Sequence, residues 1–293
     1  MNDYVIFIDS SADIAPSFAK EHDIHIVSMS YSVDGEEYNC NCTETDIILK
    51  QFYDKQRNVV ECHTCQVSPQ QFIDAFAPIM ESGRDILYIS LSGGLTNTHD
   101  SITLAKMQLF DEYPERSVYD IDSLSATVGI GLLAEMAAFN RDSGMSVEEN
   151  ASYIEEMRHR ICHIFMVEDL MYLKRGGRIP ASTALIGTAL NIKPILVIDE
   201  EGKLQVVDKK RGNKTAVKSM MERYMRSRDE KEHRIRIVHA DAPGLAGKLT
   251  DEVAKRDVEA DITTEILSPI IGSHTGPGMA AVVYIGRRFE LQN

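Results

Sequence analysis

Ile86-Leu87-Tyr88-Ile89-Ser90-Leu91-Ser92-Gly93-Gly94-Leu95-Thr96-Asn97-Thr98 is the stretch that decides the fold. An apolar run ends in a small polar loop with two glycines, and a helical pattern follows to about Phe110. A short apolar run bounded by turn residues reads as a strand buried on both faces, and a helix straight after it belongs to a parallel sheet. The unit recurs on either side. Tyr4–Ile8 runs into Asp9-Ser10-Ser11-Ala12-Asp13 ahead of a helix near Pro16, and Val118–Ile121 runs into Asp122-Ser123-Leu124-Ser125 ahead of a helix to about Asp142. Ile24–Val33 reads as one extended run. Ser68-Pro69-Gln70-Gln71 and Ser146-x-x-Glu149 are helix starts, with Ser capping and Gln or Glu reaching back from three residues on. The rhythm predicts an α/β domain over 1–160, a parallel sheet flanked by helices.

From Ile161 the pattern shifts. Ile161–Val167 is a strand run, and Lys174-Arg175-Gly176-Gly177-Arg178 breaks it off. Ile195–Ile198 and Leu204–Val207 flank Asp199-Glu200-Glu201-Gly202 as a hairpin, which requires antiparallel pairing. Helices and strands alternate from there to Ala280–Ile285. The expectation is a second α/β domain over 161–293 with a mixed sheet.

The charge balance is 31 Lys and Arg against 45 Asp and Glu, a net −14, which excludes a sequence-independent grip on nucleic acid or anionic lipid. No run reaches the ~18 apolar residues of a membrane span. Met1-Asn2-Asp3-Tyr4 leads directly into the first strand with no targeting pattern, so the expected location is cytoplasmic, without stable membrane insertion. Five cysteines, an odd number in a long chain, argue against a disulfide framework.

Ligands of parallel sheets bind outside the carboxyl ends of the strands. Ser92–Thr98 suits that place: glycines admit a ligand to the backbone, hydroxyls donate, and the following helix offers free N–H groups to a carboxylate or phosphate. A plain strand-to-helix turn explains the same residues. Thr64, in Cys62-His63-Thr64-Cys65-Gln66-Val67-Ser68-Pro69, faces the same crevice or is a turn residue. Arg175 and Arg178 make the Leu173–Ile179 turn either an anchor for an anion or phosphate-bearing partner, or a solvated bend. His274 lies in the polar loop Ile271–Gly278 as donor, base or structural hydrogen-bonder. Cys40-x-Cys42 and Cys62-x-x-Cys65 offer four thiols for zinc or redox chemistry, or simply four free thiols. No nucleophile elbow and no working pair of carboxylates stands out, so the pattern favours holding over cleaving.

Together, Ile8–Ile14, Thr64–Pro69, Ile89–Ser101, Asp122–Ser125, Tyr172–Pro194 and Gly272–Gly278 resemble the DegV family, bacterial fatty-acid-binding proteins that include the substrate-carrying subunit of fatty acid kinase. The resemblance runs in order along nearly the whole chain. Tyr172–Ile179, Leu190–Leu196 and His274-Thr275-Gly276-Pro277-Gly278 are its most specific pieces. It implies two α/β domains with a long-chain fatty acid between them, presented to a separate ATP-dependent kinase for acyl-phosphate formation, with no catalytic residues, metal or cofactor of the chain's own. By position, Thr64 matches the family's carboxylate-holding Thr, Ser92 and Gly93 its Ser-Ser pair, and His274 its head-group histidine. Arg175 and Arg178 fall in the segment that faces the kinase. Cys65, Val67, Gly93 and Asn97 replace the family's Ser, Pro, Ser and Gly. Two rival expectations stand beside it: an enzyme on a small anionic or phosphorylated substrate with His274 as base, and a zinc or redox protein built on the four cysteines.

Overall fold

The computed structural model describes residues 4–58, 61–184 and 191–291. Met1-Asn2-Asp3 and, in the Tyr172–Pro194 segment, residues 185–190 with Leu190 lie outside the described residues. The chain opens with β1 (Tyr4–Asp9), α1 (Pro16–Glu21) and β2 (Ile24–Val27), then β3 (Met29–Val33), β4 (Glu36–Cys40), α2 (Asp46–Arg57) and β5 (Cys62–Cys65). Next come α3 (Pro69–Glu81), β6 (Asp85–Ser90), α4 (Thr98–Glu112), β7 (Val118–Asp122), α5 (Val128–Asp142) and α6 (Val147–Met157). The second half holds β8 (Ile161–Met166), α7 (Met171–Arg175), α8 (Ala181–Ala184), β9 (Ile192–Ile198) and β10 (Leu204–Arg211). It ends with α9 (Asn213–Ser227), β11 (Arg234–His239), α10 (Pro243–Ala254), β12 (Asp261–Ile266), α11 (Pro269–Thr275) and β13 (Ala280–Ile285).

Strands β2-β1-β6-β7 form the parallel sheet in that order. Every residue of β1 is buried, as a strand covered on both faces requires. Ser68 with Gln71 and Ser146 with Glu149 close full capping boxes at the starts of α3 and α6. The single run over Ile24–Val33 is corrected: the chain breaks at Ser28, and β3 joins a separate antiparallel sheet, β4-β3-β5. The break has a local cause. Ser10 donates its N–H to the Val27 carbonyl at 3.1 Å while its Oγ takes the Met29 N–H at 2.8 Å, which turns the chain out of the parallel sheet. The edge strands β4 and β5 escape sequence reading because most of their residues are exposed or half-exposed and carry no apolar alternation.

The second sheet runs β10-β9-β8-β13-β11-β12, antiparallel throughout except for the β11–β12 pair. The hairpin of β9 and β10 stands where the sequence puts it. Side chains alternate across this sheet with the strand period. Ile161 and Phe165 of β8 join the core shared with the first half, whereas Cys162, Ile164 and Met166 pack into the core under α9 and α10. One face of the mixed sheet therefore abuts the parallel-sheet half. Arg288, almost fully buried, ties the two together through the carbonyls of Leu124, Arg158 and Ile161 at 2.7–2.9 Å. The loop expected around His274 is instead the last turn of α11, begun by Pro269.

A cavity between the two sheets

Four element ends meet at one cavity of about 400 Å³. Along β5 the burial alternates, so Cys62 and Thr64 turn inward while His63 and Cys65 face solvent. Thr64, paired across β3 with Tyr31, reaches His274 of α11: Oγ1 and Nε2 are 2.8 Å apart. Both line the cavity. His274 is held in place from behind by Gly176, where a Cβ would fall 2.2 Å from the ring Nδ1. Only a glycine fits that approach. Burial first, then the charge of Arg178 and His63, push the His274 ring down to about 3, so it is neutral at ordinary pH.

The loop after β6 is organised differently from the expectation for Ser92. Ser92 is fully buried, stands outside the cavity lining, and donates its Oγ to the Gly202 carbonyl at 2.8 Å while accepting the Gly94 N–H at 3.1 Å. It fastens the β9–β10 turn onto the loop. Gly93 and Gly94 do line the cavity, but the Gly93 N–H goes to Asp122 Oδ1 at 3.1 Å. The Leu95 and Thr96 N–H groups close on the Ser92 carbonyl at 2.9 and 3.2 Å. The loop thus spends these donors on itself. A Cβ at Gly93 would sit 2.9 Å from Asp122 Oδ2, so the missing hydroxyl at this position keeps the Asp122 contact free of crowding.

The two arginines separate. Arg175 is exposed, its guanidinium 4.5 Å over the Tyr172 ring on the outer surface. Arg178 turns the other way and lines the cavity, with Nε donating to the Leu95 carbonyl at 3.0 Å and Nη1 to the Gly176 carbonyl. Among the described residues no carboxylate pairs with it. A cation satisfied only by carbonyls makes this part of the cavity lining electropositive in a chain of net −14. Leu91, Phe165, Ile198, Leu204, Ile270 and Met279 supply apolar wall. Sequence reasoning missed three polar members of the lining, Gln66, Thr127 and His163. His163 carried a signal: a polar residue in phase with Ile161 and Phe165 inside an apolar strand run.

The cysteines do not converge. Cys40 and Cys65 sit on the outer strands of the three-stranded sheet with β3 between them, about 10 Å apart at the usual strand spacing. Zinc holds thiolates at ~2.3 Å. Cys40 and Cys42 both direct their thiols to the Ser10 carbonyl, and burial pushes both well above the ordinary thiol range. Among the described residues no group of His, Cys, Asp and Glu is placed to hold a metal ion. None of the described helices is long and apolar enough to cross a membrane.

Residues 3–287 match the family described as uncharacterised protein, DegV family. A DegV domain-containing protein of Clostridium perfringens is 34% identical over 287 residues, covering 98% of each chain. A DegV family protein from Thermus thermophilus whose fatty acid binding has been described superposes with a TM-score of 0.85 at 26% identity, covering 97% of this chain and 99% of that one. A DegV lipid-binding protein from Thermotoga maritima superposes with a TM-score of 0.83 at 25% identity, covering 98% and 99%.

Proposed function

Because the chain belongs to the DegV family, we propose that it binds a long-chain fatty acid in the cavity between its two sheets and presents the carboxylate to a separate ATP-dependent kinase. The observation that carries this reading is one cavity lined both by the polar side chains of Thr64, His274 and Arg178 and by aliphatic and aromatic side chains. Its volume of about 400 Å³ falls within the ~300–1,000 Å³ usual for small-molecule sites. An acyl chain gains ~0.8 kcal/mol per buried CH₂. The Thr64 hydroxyl donates to the carboxylate, the neutral His274 ring orients that hydroxyl, and Arg178 supplies the positive field. Arg175, stacked on Tyr172 outside the cavity, is the cation available to a partner.

A Thr hydroxyl 2.8 Å from a His nitrogen also has the outline of a nucleophile and its base. Two features weigh against that use. A ring whose proton is lost by about pH 3 is a weak base at neutrality, and its other nitrogen packs on Gly176 with no carboxylate among the described residues to orient it.

Native mass spectrometry of the purified protein tests the binding. A mass excess of one fatty acid, lost on solvent extraction and restored by adding labelled fatty acid, supports it; extracted protein that takes up none overturns it. Addition of an acyl-phosphate-forming kinase of a DegV-encoding bacterium with ATP tests presentation, read as acyl phosphate formed only when both proteins are present.

A further inference from the structure

Asn97 is a polar residue of the cavity lining that the head-group arrangement does not use. It is exposed and stands as the N-cap of α4, where asparagine normally turns its side-chain oxygen back onto the helix. Here it does not. Its backbone has ψ 19°, against 159° for Ser68, which caps α3, and its side chain makes no cap bond. Among the described residues neither the Asn97 amide nor its backbone N–H has a hydrogen-bond partner.

The other hydroxyl and amide side chains of the lining are engaged. Thr64 meets His274, Thr96 meets Thr98 at 2.9 Å, and Thr127 gives its hydroxyl to Asp13. Thr275 donates to the Ile271 carbonyl at 3.4 Å, and the Gln66 amide to Ser101 Oγ at 3.0 Å. Asn97 alone among them has none of its donors committed. Two contacts also place it beside the head-group residues. Arg178 Nε donates to the carbonyl of Leu95, two residues before Asn97. Gln66, two residues after Thr64, holds Ser101, which lies one turn of α4 beyond Asn97. Gly176 gathers the rest, since its carbonyl accepts from Arg178 Nη1 while its Cα abuts the His274 ring.

Within this group Thr64, His274 and Arg178 are half-buried and Asn97 is exposed, so Asn97 is the member nearest solvent. A group joined to a carboxylate resting at Thr64 would extend toward it. Resting on the reading above, in which that carboxylate is presented for phosphorylation, we propose that Asn97 is a specificity-determining residue for the acyl phosphate. Its amide donates to the phosphoryl oxygens while Thr64 keeps the acyl end. A phosphoryl group brings more negative charge than a carboxylate and three acceptor oxygens, and so takes up donors that the fatty acid leaves idle. The N-terminus of the 15-residue α4 and the Arg178 guanidinium add positive potential at the same place. Asn97 makes and breaks no bond; it holds the product of the partner's reaction more firmly than the substrate.

Acyl phosphates hydrolyse in water, so the experiment uses the β-ketophosphonate isostere of palmitoyl phosphate, in which CH₂ replaces the bridging oxygen, and compares it with palmitic acid. Each is titrated calorimetrically into solvent-extracted full-length protein. In Asn97→Ala the phosphonate should lose roughly tenfold in affinity, the scale of one hydrogen bond to a charged group, while palmitic acid stays within about twofold. Asn97→Gly is the second variant should the first fail to fold. Equal losses for the two ligands overturn the proposal, since the amide would then serve the carboxylate, and so does an unchanged affinity for the phosphonate. A phosphonate that does not bind wild-type protein while palmitic acid does overturns it and leaves acyl binding standing. Failure of both ligands to bind overturns this inference and the acyl-binding reading together.

Discussion

Thr64 and His274, 210 residues apart in the chain, meet at 2.8 Å because β5 and α11 converge on the wall of one cavity. The contact ties a residue of the small antiparallel sheet to the last helix. It also holds the Thr64 side chain in the cavity lining. Thr64→Val keeps the shape and removes the donor. A hydrogen bond to a charged group is worth about 1.5–3 kcal/mol, so acyl affinity should fall roughly ten- to a hundredfold. Titration calorimetry with stearic acid measures it, and an unchanged circular dichroism melt confirms the fold.

The neutral state of His274 has its own consequence. Its ring is held down to about 3, against 6.5 for an ordinary histidine, and an exposed acyl carboxylate ionises well below neutrality. Neither group changes charge between pH 6 and 8. Acyl affinity should therefore be flat across that range. A tenfold loss centred near pH 6.5 would mean that His274 binds the ligand as a cation.

The arginines should divide in the same assay. Arg178→Gln removes the cation from the cavity lining and should weaken acyl binding roughly tenfold or more. Arg175→Ala touches only the exposed stack on Tyr172 and should leave acyl affinity within about twofold, while lowering acyl-phosphate yield in the coupled kinase assay. Equal losses of acyl affinity in both variants would contradict the division.

The parallel sheet was readable because its central strands, β1 and β6, are buried on both faces and so appear as apolar runs between loops. Thr64 and His274 could each be singled out in the sequence, one as a crevice-facing hydroxyl and one as a loop histidine, but nothing local to either marks the other as its neighbour. What escaped depends on a third element. The partner of Ser92 comes from the β9–β10 turn, which brings the Gly202 carbonyl to its Oγ from 110 residues away. Arg175 and Arg178 share one short segment, and it is the turn at Gly176-Gly177 that sends one out and the other in. A strand pleat alone decides that His163 faces the cavity and Cys162 the opposite core.

Ser92→Ala follows from that placement. The substitution leaves the buried Gly202 carbonyl without its donor and the Gly94 N–H without its acceptor. An orphaned buried group costs about 1–3 kcal/mol, so urea denaturation should show a loss of about 2 kcal/mol. Acyl affinity should change much less than in Thr64→Val, because Ser92 stands outside the cavity lining. A larger loss of affinity than of stability would return Ser92 to the ligand.

Asp13 joins the halves through Thr127, whose hydroxyl it accepts, and through the Ser268 N–H at 3.0 Å, and burial raises its carboxyl to about 7 from 3.8. A carboxyl that keeps its proton to higher pH when folded binds more protons folded than unfolded between those two values. Stability from this group is therefore full below about pH 4 and declines as pH rises toward 7. Carboxylates held below their usual range, such as Asp142 beside His22 and Arg141, lose their contribution in acid and pull the other way, so the wild-type curve alone does not isolate Asp13. The difference between Asp13→Asn and wild type does. Asn keeps an acceptor for Thr127 and Ser268 and cannot ionise. The variant should gain on wild type by on the order of 1–3 kcal/mol between pH 4 and pH 8, with the gain accumulating below about pH 7. Urea titrations of both proteins at stepped pH measure it, and a difference independent of pH would place the Asp13 carboxyl in an ordinary, solvated environment.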